Sequence, residues 1–225
     1  MEKFLIKIQM KTKYQIQSLF STPLYINEIP KQLILDHIEL LDNETILGEE
    51  DNVLAQKFGS RSKNSYILNQ SPYQNLHNYI LQHVTHFAEN YMSYNYKDYK
   101  FSQSWISIKN PGETHYPHTH PHSLISGVFF YGESNNNTSS IEFHRNDDIS
   151  KTINNHKMKP QHLLNDFSYT SYKIIHKSGI LVIFPSCLTH SVSTNKTNIP
   201  RKSLSFNVVP KSGLGAENLL TELKF

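Results

Sequence analysis

The hydrophobic pattern of this 225-residue chain changes near Lys100, and that change restricts the fold more than any other feature. Before it, apolar residues recur at helical spacing in two segments, one that follows Pro30 and one at residues 73–91. After it, the pattern is extended as far as Pro210. Strands are predicted at residues 102–109, 124–131, 140–144, 169–176, 180–184 and 202–209. Strands behind a pair of helices predict an α+β fold, with helices on one face of a mainly antiparallel jelly-roll barrel, a double-stranded β-helix.

The length of the chain favours a single domain over residues 1–225, because one core of this size can be buried without division. Residues 1–100 are expected to form a helical and extended segment that covers the barrel. Residues 101–210 form the predicted jelly-roll core, and residues 211–225 a tail with a short closing helix. The polar segments at residues 133–139 and 146–166 are predicted to be loops at the rim of the barrel.

Composition excludes several classes of partner. The net charge of +3 is spread along the chain without a dense basic block, which gives little reason to expect nucleic acid. No apolar run reaches the eighteen or more residues of a membrane span, and the lysines near the N-terminus interrupt any signal-like segment. The single cysteine, Cys187, cannot form an internal disulfide, and its mostly apolar neighbours predict that it fills the core.

A cluster of histidines indicates a metal site. Four of them precede the apolar strand at residues 124–131: His115, His118, His120 and His122. Alternate residues of a strand share a face, so His118 and His120 project to the same side and could share one ion. A third ligand is required, and His190 is the best candidate because it follows the apolar strand and turn at residues 179–189. The predicted ligands are therefore His118, His120 and His190.

A second signal lies downstream, where the segment RKSLSFN alternates polar and apolar residues from Arg201. Arg201, Ser203 and Ser205 share the polar face, with Asn207 one step further on. A packed core would leave these groups unpaired at a cost in free energy, whereas a bound anion would satisfy them. Arginine matches a carboxylate with two hydrogen bonds, and the serines add donors. The alternative is a polar strand that faces solvent.

Together, the pair His118 and His120, the distal His190 and the following Arg201 resemble the iron(II)- and 2-oxoglutarate-dependent oxygenases, in particular the prolyl-hydroxylase-like branch found in bacteria and phages. The resemblance covers about residues 100–210. It implies Fe(II) as cofactor, 2-oxoglutarate as a small-molecule cosubstrate, and hydroxylation of a second substrate, either a protein side chain or a small molecule. For this chain it implies that His118 and His190 bind the metal. Arg201, assisted by Ser203 or Ser205, would bind the far carboxylate of 2-oxoglutarate.

The chain departs from the family at the second ligand. A carboxylate usually occupies that position, and this chain has His120, which would give a three-histidine site. His122 or Glu113 could be the ligand instead if the register of the strand differs, but His120 is preferred.

Two rival functions remain open on the sequence. A three-histidine metalloenzyme of the cupin type would not use 2-oxoglutarate, and a non-enzymatic jelly-roll module would only bind zinc. The protein is expected in the cytoplasm, or in the host cytoplasm if a phage encodes it. The helix at residues 73–91 could pack on the barrel or on another subunit, so a homo-oligomer is a further possibility.

Overall fold

The computed structural model describes residues 17–47, 59–94, 96, 98–135, 137–146, 167–215 and 217–224. The predicted rim loop at residues 146–166 lies outside these residues except for Asn146. None of the helices within the described part is long and apolar enough to cross a membrane.

Both predicted helices are confirmed, and the second lies within one residue of its predicted bounds. Helix α1 spans Lys31–Asp42, and Pro30 precedes its first turn, a position where the missing N–H of proline is tolerated. Helix α2 spans Gln74–Asn90, and it buries the apolar face that its i, i+4 spacing predicts. The buried residues of α2 are Leu76, Ile80, Val84, Phe87 and Ala88.

Ten strands are present among the described residues. They are β1 (Tyr25–Glu28), β2 (Ser60–Arg61), β3 (Tyr99–Lys109), β4 (His115–His118), β5 (Ile125–Tyr131), β6 (Ile141–His144), β7 (Ser171–Ile174), β8 (Ile180–Pro185), β9 (His190–Val192) and β10 (Arg201–Pro210). All six predicted strands are confirmed, as β3, β5, β6, β7, β8 and β10. The predicted closing helix is limited, among the described residues of the tail, to one 3-10 turn at Glu217–Leu219.

The strands form two antiparallel sheets. The six-stranded sheet has the order β1-β8-β5-β10-β3-β2, and the four-stranded sheet has the order β4-β9-β6-β7. From β3 onward the chain crosses repeatedly from one sheet to the other, so that eight strands close into a double-sheet jelly roll. The predicted α+β class with a jelly-roll barrel is confirmed.

The hydrophobic residues are divided between the two faces of the six-stranded sheet. The larger cluster lies between this sheet and the helices, and it includes Leu76 of α2 and Phe206 of β10. A smaller cluster lies between the two sheets, inside the barrel. Its buried members are Val128, Phe130, Ile141, Phe143, Val182 and Phe184. Most of the apolar packing therefore lies outside the barrel, and the barrel interior can carry polar groups.

Gly127 permits Phe206 to pack closely against β5 in the larger cluster. It is the register partner of Phe206, and a Cβ atom at this position would lie 2.2 Å from Cζ of Phe206 and 2.8 Å from the carbonyl oxygen of Val182. Any side chain at residue 127 would therefore displace either the aromatic ring or the neighbouring strand.

We predict that Gly127→Ala lowers the free energy of unfolding by about 1–3 kcal/mol, the usual cost of overpacking. Urea denaturation measures the loss. Phe206→Leu removes the ring atoms that the new methyl group would meet, so the double variant should be less destabilised than the sum of the two single variants. Strictly additive losses would mean that the contact with Phe206 is not the cause.

Candidate metal centre

Neighbouring strands of the four-stranded sheet bring His118 and His190 together at one end of the barrel, and His120 joins them from just beyond the end of β4, not from the same strand as His118. His118 ends β4, His190 begins β9, and the two residues are register partners. One nitrogen of each of the three rings lies within 4.8 Å of the others, close enough to share a metal ion. The structure thus places the three predicted ligands in one group, and their role as ligands remains a prediction.

Backbone contacts fix the protonation of two of these rings. Nδ1 of His118 lies 2.8 Å from the carbonyl oxygen of Tyr116, and Nδ1 of His190 lies 2.9 Å from that of Leu188. A carbonyl oxygen only accepts hydrogen bonds, so Nδ1 must donate in both rings. In a neutral imidazole, Nε2 then keeps a free lone pair, which is the form that a metal requires.

His120 obtains the same tautomer from a side chain. Its Nδ1 lies 2.5 Å from Oδ1 of Asn207, and the Oγ of Ser126 donates to the same oxygen at 2.8 Å. Since that oxygen already accepts from Ser126, it acts as an acceptor toward His120 as well. Asn207 is on β10, so one strand carries both this contact and Arg201 at its opposite end.

The surroundings of the cluster keep all three rings neutral. Burial, followed by the proximity of His118, lowers the pKa of His190 to about 3. Burial also lowers the pKa of His118 and of His120, against the opposing effect of their hydrogen-bond acceptors. Near neutral pH the three imidazoles are therefore uncharged, and protons do not compete with a metal for Nε2.

Aromatic rings pack around the cluster. Trp105 stacks on His120 with centroids 5.8 Å apart, and Phe184 meets His190 edge-on at 4.8 Å. His115 stacks on His118 at 4.1 Å, and burial lowers its pKa to about 2. Aromatic and imidazole rings therefore form much of the wall of the site.

The two alternative second ligands lie apart from the cluster. Neither Glu113 nor His122 belongs to the group of side chains whose ligand atoms converge. Glu113 accepts a hydrogen bond from the backbone N–H of Asn110 at 2.7 Å, and His122 is exposed in a left-handed backbone conformation with φ 63°. The geometry favours His120 as the second ligand.

Arg201 is buried at the base of the same cavity, where it is 1% exposed. One NH1 hydrogen bond reaches Oγ of Ser203 at 3.0 Å, and the guanidinium lies 5.1 Å above the ring of Phe130. Its Nε has no hydrogen-bond partner in the described part of the protein. Burial lowers the pKa of Arg201 to about 10, yet the group remains charged at neutral pH. The alternative of a strand that faces solvent is therefore wrong.

Ser205 lines the same cavity as Arg201 and Ser203, one step nearer to Asn207. The structure thus places all three residues that were predicted to bind the cosubstrate on the inner wall of the barrel. Their contact with 2-oxoglutarate remains a prediction.

Comparison with known proteins agrees with this geometry. Residues 103–207, from β3 to near the end of β10, match the family described as "Putative 2OG-Fe(II) oxygenase". The barrel region of this chain is therefore similar in sequence to the 2OG-Fe(II) oxygenases. No curated protein matches the sequence.

Solved structures with the same fold extend over most of the chain. A prolyl-4-hydroxylase from Pseudomonas putida is 13% identical, with a TM-score of 0.52 over 83% of this chain and 93% of its own. HygX from Streptomyces hygroscopicus, with nickel and 2-oxoglutarate bound, is 10% identical, with a TM-score of 0.58 over 91% of both chains. The epimerase SnoN from nogalamycin biosynthesis is 10% identical, with a TM-score of 0.59 over 85% of this chain and 77% of its own. At these identities the similarity shows the fold alone.

Two residues near the site were not singled out by the sequence, and one contact was not foreseen. Lys109 and His176 are buried beside Arg201, at 0% and 1% exposure, and Asn207, although named on the polar face of its strand, was not expected to contact His120. A sequence pattern could have predicted the burial of Lys109, because the segment WISIK alternates polar and apolar residues as β10 does. No such pattern marks His176, since it follows the end of a short exposed strand. The prediction that Cys187 fills the core is wrong, because Cys187 is exposed in the turn after β8.

The acceptor at Asn207 should matter for metal affinity. We predict that Asn207→Leu weakens the binding of Ni(II) or Fe(II) about tenfold to a hundredfold, because His120 loses the group that orients it and fixes its tautomer. Asn207→Asp keeps an oxygen acceptor and should retain tight binding. Anaerobic calorimetric titration measures both affinities, and thermal denaturation checks that the variants are folded. Equal affinity of a folded Asn207→Leu variant would remove this role from Asn207.

The buried His176 predicts a pH dependence of stability. Its Nε2 donates to the carbonyl oxygen of Lys202 at 3.0 Å, and burial, followed by the charge of Arg201, lowers its pKa from 6.5 to about 4. Between these two values the unfolded state binds a proton that the folded state does not, so stability falls as the pH falls through this range.

We expect that His176→Gln, which can keep the donor, makes this fall shallower by about one proton, or about 1.4 kcal/mol per pH unit, between about pH 6 and pH 4.5. Urea denaturation of the metal-free wild-type and variant proteins across this range measures the two slopes. Parallel stability curves would show that folding does not lower the pKa of His176.

Proposed function

We propose that this protein is an iron(II)- and 2-oxoglutarate-dependent oxygenase that hydroxylates an organic substrate, with a metal site of three histidines. The observation that supports it most directly is Arg201, a buried cation without a counterion among the described residues. It lines the same cavity as the histidine cluster. A site with a metal at one end and a cation at the other fits a 2-oxo acid that carries a second carboxylate.

The three histidines fit a divalent transition metal. Three neutral imidazoles with free Nε2 atoms can occupy one face of an octahedral ion and leave the remaining positions for other ligands. Replacement of the usual carboxylate by His120 leaves the bound ion with one more unit of positive charge. That charge favours an anionic chelate such as the 2-oxo acid end of 2-oxoglutarate.

Arg201 and the serines fit the opposite end of the cosubstrate. The guanidinium is held against Phe130 and by Ser203, so its direction is set before any ligand binds. Its Nε–H lacks a partner in the described structure, and a buried donor that is left unsatisfied costs about 1–3 kcal/mol. A carboxylate at this point would satisfy the donor and neutralise the charge, and Ser205 can add a hydroxyl.

When bound, iron(II) and 2-oxoglutarate supply the means to activate oxygen for hydroxylation, with release of succinate and carbon dioxide. The chain supplies position and shielding. Arg201 fixes the orientation of the cosubstrate, Asn207 fixes the ring of His120, and Phe143 and Phe184 form an apolar wall beside His190. The substrate would approach from the histidine end.

The two rival functions are not favoured. A cupin-type enzyme without 2-oxoglutarate would give Arg201 no anion to bind, and a zinc-binding module would leave the same buried charge unexplained. The choice of hydroxylation as the reaction rests on the similarity to the 2OG-Fe(II) oxygenases and not on the geometry of this site. The epimerase SnoN has the same fold and catalyses a different reaction. The proposed substrate is either a protein side chain or a small molecule.

The test is anaerobic titration of the protein with iron(II) and 2-oxoglutarate. We expect a weak visible absorption band from the chelate, and succinate production when oxygen is admitted. Arg201→Met should lower the affinity for 2-oxoglutarate by about 2–5 kcal/mol, the usual cost of removing one partner from a buried charged pair. The affinity for iron(II) should not change, because the metal ligands are untouched.

Arg61→Met is the matched control, because Arg61 is an exposed arginine on the edge strand β2. It should bind both iron(II) and 2-oxoglutarate like the wild type. Unchanged affinity for 2-oxoglutarate in Arg201→Met would show that Arg201 does not bind the far carboxylate. A wild-type protein that binds iron(II) but not 2-oxoglutarate would favour the cupin-type alternative instead.

A further inference from the structure

Two buried cations lie side by side on the inner face of the six-stranded sheet. Lys109 and Arg201 are register partners on β3 and β10, and they are 0% and 1% exposed. Neither of them takes part in an ion pair within the described residues. Like charges removed from water repel each other strongly, so this arrangement costs the folded protein free energy. Arg201 alone would suffice to bind one carboxylate, and Lys109 therefore requires an explanation of its own.

The neighbouring register pair gives each cation a hydroxyl group. Nζ of Lys109 donates to Oγ of Ser107 at 2.8 Å, and NH1 of Arg201 donates to Oγ of Ser203 at 3.0 Å. Ser107 and Ser203 face each other across the two strands. Each hydroxyl oxygen accepts from a cation and so has its own hydrogen to donate. For Ser203 the acceptor in the described structure is the distant carbonyl oxygen of Ser107, at 3.5 Å.

We propose that Lys109 is a positioning residue for the far carboxylate of 2-oxoglutarate and acts through the hydroxyl of Ser107. The carboxylate is then bound directly by Arg201 and by the hydroxyls of Ser203 and Ser107, and Lys109 stabilises it through Ser107. Ser107, Ser203 and Arg201 line the cavity, and the ammonium group of Lys109 lies behind Ser107. This inference rests on the proposed function, because it assumes that the cavity binds 2-oxoglutarate.

The backbone around Lys109 leaves room for this buried ammonium group. Gly59 packs against it at the edge of the sheet, where a Cβ atom would lie 2.7 Å from Nζ of Lys109. Gly59 also has a φ of 70°, a conformation that favours glycine. The chain thus accommodates Lys109 in the interior although an exposed position would cost less. Burial, followed by the charge of Arg201, lowers the pKa of Lys109 to about 7, while Glu113 opposes the shift. An anion at Ser107 would stabilise the charged form.

A functional role and a structural role predict opposite effects on stability. A residue kept for packing stabilises the folded protein, and its replacement lowers stability. A buried cation next to another cation does the reverse, because an apolar residue of similar length removes both the desolvation cost and the repulsion. Lys109→Met should therefore leave the stability of the protein without 2-oxoglutarate unchanged or raise it, while it weakens the binding of 2-oxoglutarate.

The experiment compares two ligands on the Ni(II)-loaded protein. Calorimetry measures the affinity for 2-oxoglutarate and for 2-oxopentanoate, which has a methyl group in place of the far carboxylate. We expect Lys109→Met to lower the affinity for 2-oxoglutarate about tenfold and to leave that for 2-oxopentanoate unchanged. Ser107→Ala should produce a similar loss. The double variant should lose little more affinity for 2-oxoglutarate than either single variant, because both changes remove the same interaction of Lys109 with the carboxylate through Ser107.

Four outcomes separate the possibilities. Selective loss of 2-oxoglutarate affinity, with a urea midpoint at or above that of the wild type, supports the proposal. Unchanged 2-oxoglutarate affinity in Lys109→Met overturns it. Equal weakening of both ligands together with lower stability also overturns it, because that pattern belongs to a structural residue. A wild-type protein that binds 2-oxoglutarate no better than 2-oxopentanoate rejects the proposed function itself, before the variants are considered.

Discussion

Strand β10 cannot turn either of its faces to water, and the rest of the site depends on that constraint. It is hydrogen-bonded to β3 on one side and to β5 on the other, so it lies within the six-stranded sheet. Helices pack on one face of this sheet and the four-stranded sheet closes the other. The polar alternation from Arg201 to Asn207 must therefore be buried, and burial requires partners. Asn207 obtains its partner from His120, and Arg201 retains an Nε–H donor without a partner among the described residues.

Much of the fold could be predicted because its signals are local. The spacing of apolar residues in α2 and the alternation in β10 are each read within one short segment, and both elements appear near the predicted bounds. The strands β4 and β9 were missed for the opposite reason. They have four and three residues, which is too short for periodicity to be recognised, and they are strands because each pairs with the other across a long sequence separation.

The candidate site shows the same division between local and distant information. His118, His120 and His190 could be named because histidine spacing and a preceding apolar strand are local patterns. The partner of His120 could not, because Asn207 is 87 residues away in sequence and only the sheet register brings them together. Lys109 was overlooked because a lysine at the end of a strand is usually exposed. Its burial follows from the pairing of β2 and β3, which covers this edge of the sheet near Gly59.

The division of apolar packing between the two faces of the sheet has a consequence for how such a protein can diverge. Leu204 and Phe206 of β10 belong to the cluster beneath the helices, whereas Ser203 and Ser205 between them face the cavity. Even-numbered positions on this strand are therefore constrained by folding, and odd-numbered positions by chemistry. Substitutions that retune ligand recognition can accumulate at the second set while the first set keeps the domain folded. A strand of this kind allows new specificities to arise on a constant framework.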